Sequence, residues 1–78
     1  MNNTEEKIRV ARRDFDFSVM DIAENVLPEG SFYTSRTNEN LLVKYFYSNK
    51  SKTETLYLSY ESAKDSIVKE IEKLKGLK

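Results

Sequence analysis

The sequence of 78 residues contains no cysteine and no histidine. Without thiols there is neither a disulfide to stabilise the fold nor a thiolate nucleophile, and without imidazoles the usual transition-metal ligands are missing. The same absences exclude Ser-His and Cys-His catalytic arrangements. We therefore expect a protein that has no metal or other cofactor and is stabilised by packing alone.

Glycine and proline are also scarce, with two glycines and one proline. A phosphate-binding loop needs several glycines to let the backbone approach the phosphate, so none is expected. Asp14 and Asp16 form an Asp-x-Asp pattern, whose carboxylate oxygens can bind a hard cation. Ser66 and Lys69 have the Ser-x-x-Lys spacing of some acyl-transferring serine enzymes. The aspartates are explained more simply as charged positions that alternate with Phe15 and Phe17, whose rings point inward, and the second pair lies on or near the polar side of a predicted helix. We expect no enzymatic activity.

The chain has no long hydrophobic run. No stretch approaches the roughly 20 apolar residues of a transmembrane helix, and the first residues lack the basic and apolar regions of a signal peptide. These absences predict a soluble, cytoplasmic protein that does not bind membranes. Because the chain is about half as long as the roughly 150 residues common for a domain, we predict a single domain over residues 1–78.

The first clear helix signal covers residues 18–27. Ser18 and Asp21 have the spacing of a capping box, and apolar residues follow at helical intervals until Pro28. We therefore predict that the helix begins at Ser18. Residues 1–17 fit a short helix better than an added edge strand, and both alternatives stay open.

The strongest helix signal covers residues 60–75. Ser59 is the predicted N-cap, and Gly76 is placed where a left-handed C-cap belongs. The predicted apolar stripe of this helix consists of Ala63, Ile67, Val68, Ile71 and Leu74.

Residues 31–59 are predicted to form three antiparallel strands, because they are rich in aromatic and β-branched residues and are interrupted by two polar stretches. Four-residue loops at 37–40 and 49–52 fix the strand pairing. In this register Tyr45 faces Phe32 and Leu56, and Val43 faces Thr34 and Leu58. The predicted fold is therefore α+β, with an N-terminal helical segment, a three-stranded antiparallel meander and a C-terminal amphipathic helix packed on the sheet.

The opposite face of the predicted sheet mixes aromatic and basic residues. The register places a lysine between two tyrosines, with a phenylalanine beside them and an arginine in an adjoining loop. Either residues 1–27 cover this face and make it part of the core, or it is exposed and binds a partner through aromatic anchors or base stacking. The candidate binding residues are Tyr33, Arg36, Lys44, Phe46 and Tyr57, extended by Leu42, Lys50 and Lys52.

The charge distribution favours a protein over a nucleic acid as the partner. The chain has 13 basic and 13 acidic residues, whereas nucleic-acid modules usually carry a strongly basic surface that neutralises phosphates. We predict a small non-enzymatic protein-binding module, with a nucleic-acid-binding domain as the alternative and self-association also open. A short lysine-, asparagine- and serine-rich chain without catalytic chemistry is typical of a virus or mobile-element protein that binds or inhibits a host protein.

Two resemblances concern nucleic-acid binding. The segment 59–64 retains the serine, the alanine and the last lysine of the Ser-Lys-Lys-x-Ala-Lys pattern that opens the final helix of the double-stranded-RNA-binding domain. Residues 18–75 also resemble that family in the order of helix, three strands and helix, which implies RNA as a partner. Tyr60 and Glu61 replace the two lysines that face phosphate in the family. In element order alone, residues 33–78 resemble the arm-binding domains of tyrosine recombinases, which read DNA through the sheet.

Overall fold

The computed structural model describes residues 3–77 as two helices and a three-stranded sheet. The strands are antiparallel and lie in the order β1-β2-β3. This architecture confirms the predicted α+β fold. The elements are α1 (Asn3–Val26), β1 (Phe32–Arg36), β2 (Asn40–Tyr47), β3 (Lys52–Ser59) and α2 (Lys64–Lys75).

Helix α1 is one continuous helix of 24 residues, about 36 Å long. The segment left ambiguous by the sequence is helical from Asn3 onward, and residues 1 and 2 lie outside the described residues. The predicted start at Ser18 is wrong, because no glycine or proline interrupts the preceding residues and residues 5–13 are rich in helix-favouring side chains. A capping box stabilises a helix start only where the upstream chain is not helical, so its spacing alone does not create a boundary.

The C-terminal half of α1 is the part that packs on the core. Residues 3–11 are all exposed, so the first half of the helix adds no side chain to the core. The helix ends at Val26 because Leu27 precedes Pro28, a position that disfavours helical backbone. The residues that contact the core are Phe15, Val19, Ile22, Ala23 and Val26.

Strands β1 and β2 pair as predicted, but the predicted register between β2 and β3 is wrong by two residues. Val43 lies opposite Leu56, not Leu58, and Tyr45 lies opposite Glu54, not Leu56. A shift of two residues keeps every side chain on its predicted face, because side chains alternate with a period of two. The faces of the sheet therefore have the expected composition, although the partners across the strands differ.

The shift follows from the position of the second turn. Tyr47 pairs with Lys52, so the loop is 48–51 rather than 49–52. Moving a loop of unchanged length by one residue changes the strand pairing by two. Three consecutive loop residues have positive φ, namely Ser48 at 56°, Asn49 at 57° and Lys50 at 67°.

Both helices pack on the same face of the sheet. Ile67, Ile71 and Leu74 of α2 belong to one buried cluster with Val19 and Ala23 of α1. The interpretation in which residues 1–27 cover the opposite face is therefore wrong. The strand residues in this cluster are Leu41, Val43, Tyr45 and Leu58, with Leu56 partly buried against them.

Helix α2 begins at Lys64 rather than at Tyr60, and Ser59 is not its N-cap. Ser59 is the last residue of β3, and its Oγ accepts a hydrogen bond from the Glu61 N–H at 3.2 Å in the following turn. The N-cap residue is Ala63, which has an extended backbone and no capping side chain. Ala63 is exposed and does not belong to the buried stripe of α2.

The late start of α2 is explained by the contacts of Tyr60 with α1. The Tyr60 ring centroid lies 5.6 Å from that of Phe15, and the Arg12 guanidinium lies 4.6 Å from the Tyr60 ring centroid. The Tyr60 hydroxyl also donates a hydrogen bond to the Thr37 carbonyl at 3.1 Å. These contacts hold Tyr60 outside the helix, so the segment 59–64 does not open a helix as its counterpart does in the double-stranded-RNA-binding domain.

The C-terminal end of α2 also differs from the prediction. Gly76 has φ of −71°, in the right-handed region, and is not a left-handed C-cap. Its N–H donates to the Lys73 carbonyl at 3.1 Å, and the Leu77 N–H donates to the Leu74 carbonyl at 3.0 Å. Because these bonds continue the helical turn, Leu77 reaches the core without a reversal of the backbone.

We predict that Ile71→Ala lowers the free energy of unfolding by about 2 to 5 kcal/mol, because it leaves a cavity at a fully buried position. Ile8→Ala makes the same truncation on the exposed half of α1 and should change stability by less than about 0.5 kcal/mol. Urea unfolding of both variants measures the difference. Equal stability of the two would contradict the assigned core.

Ser18→Ala should leave the stability unchanged or raise it by up to about 0.5 kcal/mol, because Ser18 is exposed inside α1 and alanine has the higher helix propensity. Thermal unfolding of the variant checks this expectation. A loss of about 1 kcal/mol, as expected for a helix N-cap, would show that the helix begins at Ser18 after all.

Candidate interaction surface

The face of the sheet turned away from the helices is open to solvent. Because both helices pack on the other side, the side chains that alternate with the core residues have no helix above them. Tyr33 is 46% exposed and Tyr57 is 65% exposed. We call this side the aromatic face; its strand residues are Tyr33, Ser35, Asn40, Leu42, Lys44, Phe46, Thr53, Thr55, Tyr57 and Ser59.

Three side chains at one end of the aromatic face contact one another. The rings of Tyr33 and Phe46 stack with centroids 5.7 Å apart and an interplanar angle of 29°. Lys44 lies directly opposite Tyr33 in the pairing, and its Nζ lies 5.8 Å from the Tyr33 ring centroid. The stacking and the cation-π contact restrict the motion of these side chains.

Leu42 lies at the centre of the aromatic face. It is only 8% exposed although it is outside the core cluster, so its neighbours on the same face shield it. Its partners across the strands are Ser35 on β1 and Tyr57 on β3. The predicted row in which Lys44 separates two tyrosines is therefore wrong, because Thr55 lies opposite Lys44. Tyr57 lies directly opposite Leu42, whereas Tyr33 lies opposite Lys44 and is therefore diagonal to Leu42.

Arg36 does not belong to the aromatic face. It is the last residue of β1 rather than a loop residue, and strand alternation places it on the side of the helices. Its Nη2 lies 2.8 Å from Asp16 Oδ2 on α1, and its Nε donates to the same oxygen at 3.1 Å. The sequence-based assignment of Arg36 to the binding surface is thus corrected: this side chain connects β1 with α1.

The two lysines expected to extend the surface are also placed differently. Lys52 lies opposite Tyr47 and therefore shares the helix side of the sheet, while Lys50 lies in the turn between β2 and β3. Lys44 is consequently the single charged side chain that the strands of the described chain, residues 3–77, place on the aromatic face. The surface is aromatic with a hydroxyl-bearing border, not basic.

The residues of the two catalytic or metal-binding patterns serve other roles. Asp16 pairs with Arg36, whereas Asp14 is exposed on the surface of α1. Ser66 and Lys69 are exposed on α2. Within residues 3–77 no group of three or more acidic side chains is arranged to hold a metal ion.

Neither helix of the described chain combines the length and the apolar composition needed to cross a bilayer. Comparison of the chain with known protein families, curated proteins and solved structures finds no match.

If the aromatic face is open, Tyr57→Ala should preserve the fold and lower the free energy of unfolding by at most about 1 kcal/mol, the size of a cross-strand contact. Tyr45→Ala is the matched control on the helix side, where the tyrosine is buried, and should cost about 3 kcal/mol or more. Thermal unfolding of the two variants gives the comparison. Unfolding of Tyr57→Ala would show that this side of the sheet is part of a core.

Proposed function

We propose that this protein is a small non-enzymatic protein-binding module and that the aromatic face is its binding surface. The supporting observation is that Tyr33 and Tyr57 stand exposed on an uncovered sheet face around a shielded Leu42. Aromatic anchors around an apolar centre are the residues that most often dominate binding energy at protein interfaces. Thr55, which lies opposite Lys44, and Thr53, which lies opposite Phe46, supply the polar rim that such interfaces have.

The charge of the surface supports a protein rather than a nucleic acid as the partner. Binding to nucleic acid depends largely on neutralised phosphates and needs several cations along one surface. The strands place Lys44 alone on the aromatic face, because Arg36 lies on the helix side of the sheet, where it pairs with Asp16. A partner with an apolar patch and one acidic side chain opposite Lys44 would complement this surface.

In this proposal the molecule is an accessory protein of a virus or a mobile element that binds or inhibits a host protein. Such a role requires only a stable surface. The chain combines a compact core with an exposed aromatic face and needs no cofactor for that task.

The proposal is tested with a partner captured on the immobilised protein, then purified and titrated by calorimetry. Tyr33→Ala and Tyr57→Ala should each weaken binding by about 2 kcal/mol, or about 30-fold, because they remove buried anchors. Phe17→Ala is the matched control, since Phe17 is an aromatic residue of α1 that is 60% exposed and outside the sheet. That variant should bind with wild-type affinity.

Three outcomes would contradict the proposal. Equal affinity of the tyrosine variants and the wild type would place the interface elsewhere on the molecule. Binding to single-stranded oligonucleotides that falls steeply with salt, with a slope reduced by about 1 in Lys44→Ala, would favour nucleic acid as the partner. A concentration-dependent dimer abolished by Tyr57→Ala would assign the aromatic face to self-association.

A further inference from the structure

The outer edge of strand β1 carries backbone groups without partners. At the two ends of the β1–β2 ladder, the Phe46 N–H donates to the Ser31 carbonyl at 2.7 Å and the Thr37 N–H donates to the Asn40 carbonyl at 2.8 Å. Backbone groups in an antiparallel pair alternate in direction along the strand. The N–H and C=O groups of Phe32 and Thr34 therefore point away from β2, and no other strand of the described chain lies on that side.

A groove runs along this free edge. One wall is α1, which contributes Met20 and Glu24, and the floor is formed by β1 from Phe32 to Thr34. Glu29, in the loop that joins α1 to β1, also lines the groove, whose volume is about 690 Å³. The free backbone groups of β1 thus lie beside a cavity large enough for a segment of extended chain.

The charges of the groove define the chemistry of its occupant. Glu24 and Glu29 line it, and none of its lining residues is basic. An added strand would place alternate side chains on the two sides of the sheet. Side chains of the added strand that lie opposite Phe32 and Thr34 would face α1 and the two carboxylates. The side chain between these two positions would point to the other side of the sheet, next to the Tyr33 ring. This arrangement suits an extended segment in which basic and apolar residues alternate.

We propose that the edge of β1 is a second binding site, which takes up an extended peptide of alternating basic and apolar residues as an antiparallel fourth strand. The peptide forms about four backbone hydrogen bonds with Phe32 and Thr34. Its basic side chains contact Glu24 and Glu29. This site uses the backbone edge of β1 and shares only Tyr33 with the aromatic face, so it does not depend on the proposed function.

The test is a nuclear magnetic resonance titration of the full chain with a capped heptapeptide of alternating valine and lysine, up to millimolar concentration. The Phe32 and Thr34 amides should shift, and their hydrogen exchange should slow by about tenfold or more at saturation. The amides of Tyr33 and Ser35, which already bond to β2, should gain no protection and serve as internal controls. Tyr57→Ala should bind the peptide as the wild type does, which separates this site from the aromatic face.

Matched peptides and variants test the two interactions that the proposal relies on, namely the backbone hydrogen bonds with β1 and the ion pairs with Glu24 and Glu29. A peptide with glutamate in place of lysine, and a peptide methylated at the lysine backbone nitrogens, should both fail to bind. The double variant Glu24→Gln, Glu29→Gln should lose about tenfold in affinity through two surface ion pairs. Glu72→Gln, which changes an exposed carboxylate on α2, should lose none.

The site is refuted if the Phe32 and Thr34 amides do not respond to millimolar valine-lysine peptide. Binding that survives backbone methylation, or that is equal for the lysine and glutamate peptides, would also overturn it. Without peptide, the hydrogen exchange of the Phe32 and Thr34 amides should not depend on protein concentration. If it slows as the concentration rises, the edge binds a second copy of the chain instead.

Discussion

The packing of both helices against one side of the three-stranded sheet is the constraint on which the rest of the structure depends. It places Val19, Ile71 and Val43 in a single cluster. Because strand side chains alternate, the same packing turns Tyr33, Lys44 and Tyr57 toward solvent. The same arrangement therefore determines which strand side chains are in the core and which are on the exposed aromatic face.

The sequence predicts the composition of the two faces better than it predicts the pairing within them. The polar run from Ser48 to Lys52 contains five residues, and the loop has four. A four-residue loop therefore fits at 48–51 or at 49–52. Both positions keep Val43 and Tyr45 on the core side. The choice between them depends on the backbone of the turn and on the match of Leu41 with Leu58 across the strands, which local sequence patterns do not encode.

The errors at the helix ends have a similar physical cause. Ser18 and Ser59 have the residue types and spacing of N-caps, but a cap acts only where the neighbouring chain leaves the helix. The chain before Ser18 is itself helical and contains no glycine or proline to interrupt it, so that condition is absent. After Ser59, the contacts of Tyr60 with Phe15 and Arg12 decide where α2 begins. Contacts between residues far apart in sequence override the local signal in this case.

The wrong grouping of Arg36 with the aromatic face shows which residues of a candidate site can be predicted from sequence and which cannot. Tyr33, Lys44 and Phe46 were correctly grouped because strand alternation determines their face and antiparallel pairing determines their proximity. Arg36 was grouped with them by its charge and by the assumption that it lies in a loop. Its partner Asp16 is on α1, and the position of α1 along β1 follows from tertiary packing.

The aromatic face is difficult to explain by stability alone. A domain of this size buries only about 60% of the surface that its unfolded chain exposes, so each apolar side chain left outside the core is a substantial loss of hydrophobic stabilisation. The stacking of Tyr33 on Phe46 contributes about 0.5 to 1.5 kcal/mol, which is less than the roughly 1.5 to 3 kcal/mol that full burial of one large apolar side chain would contribute. Single exposed apolar residues are common on proteins, but a contiguous group on one open sheet face is characteristic of a surface that another molecule covers.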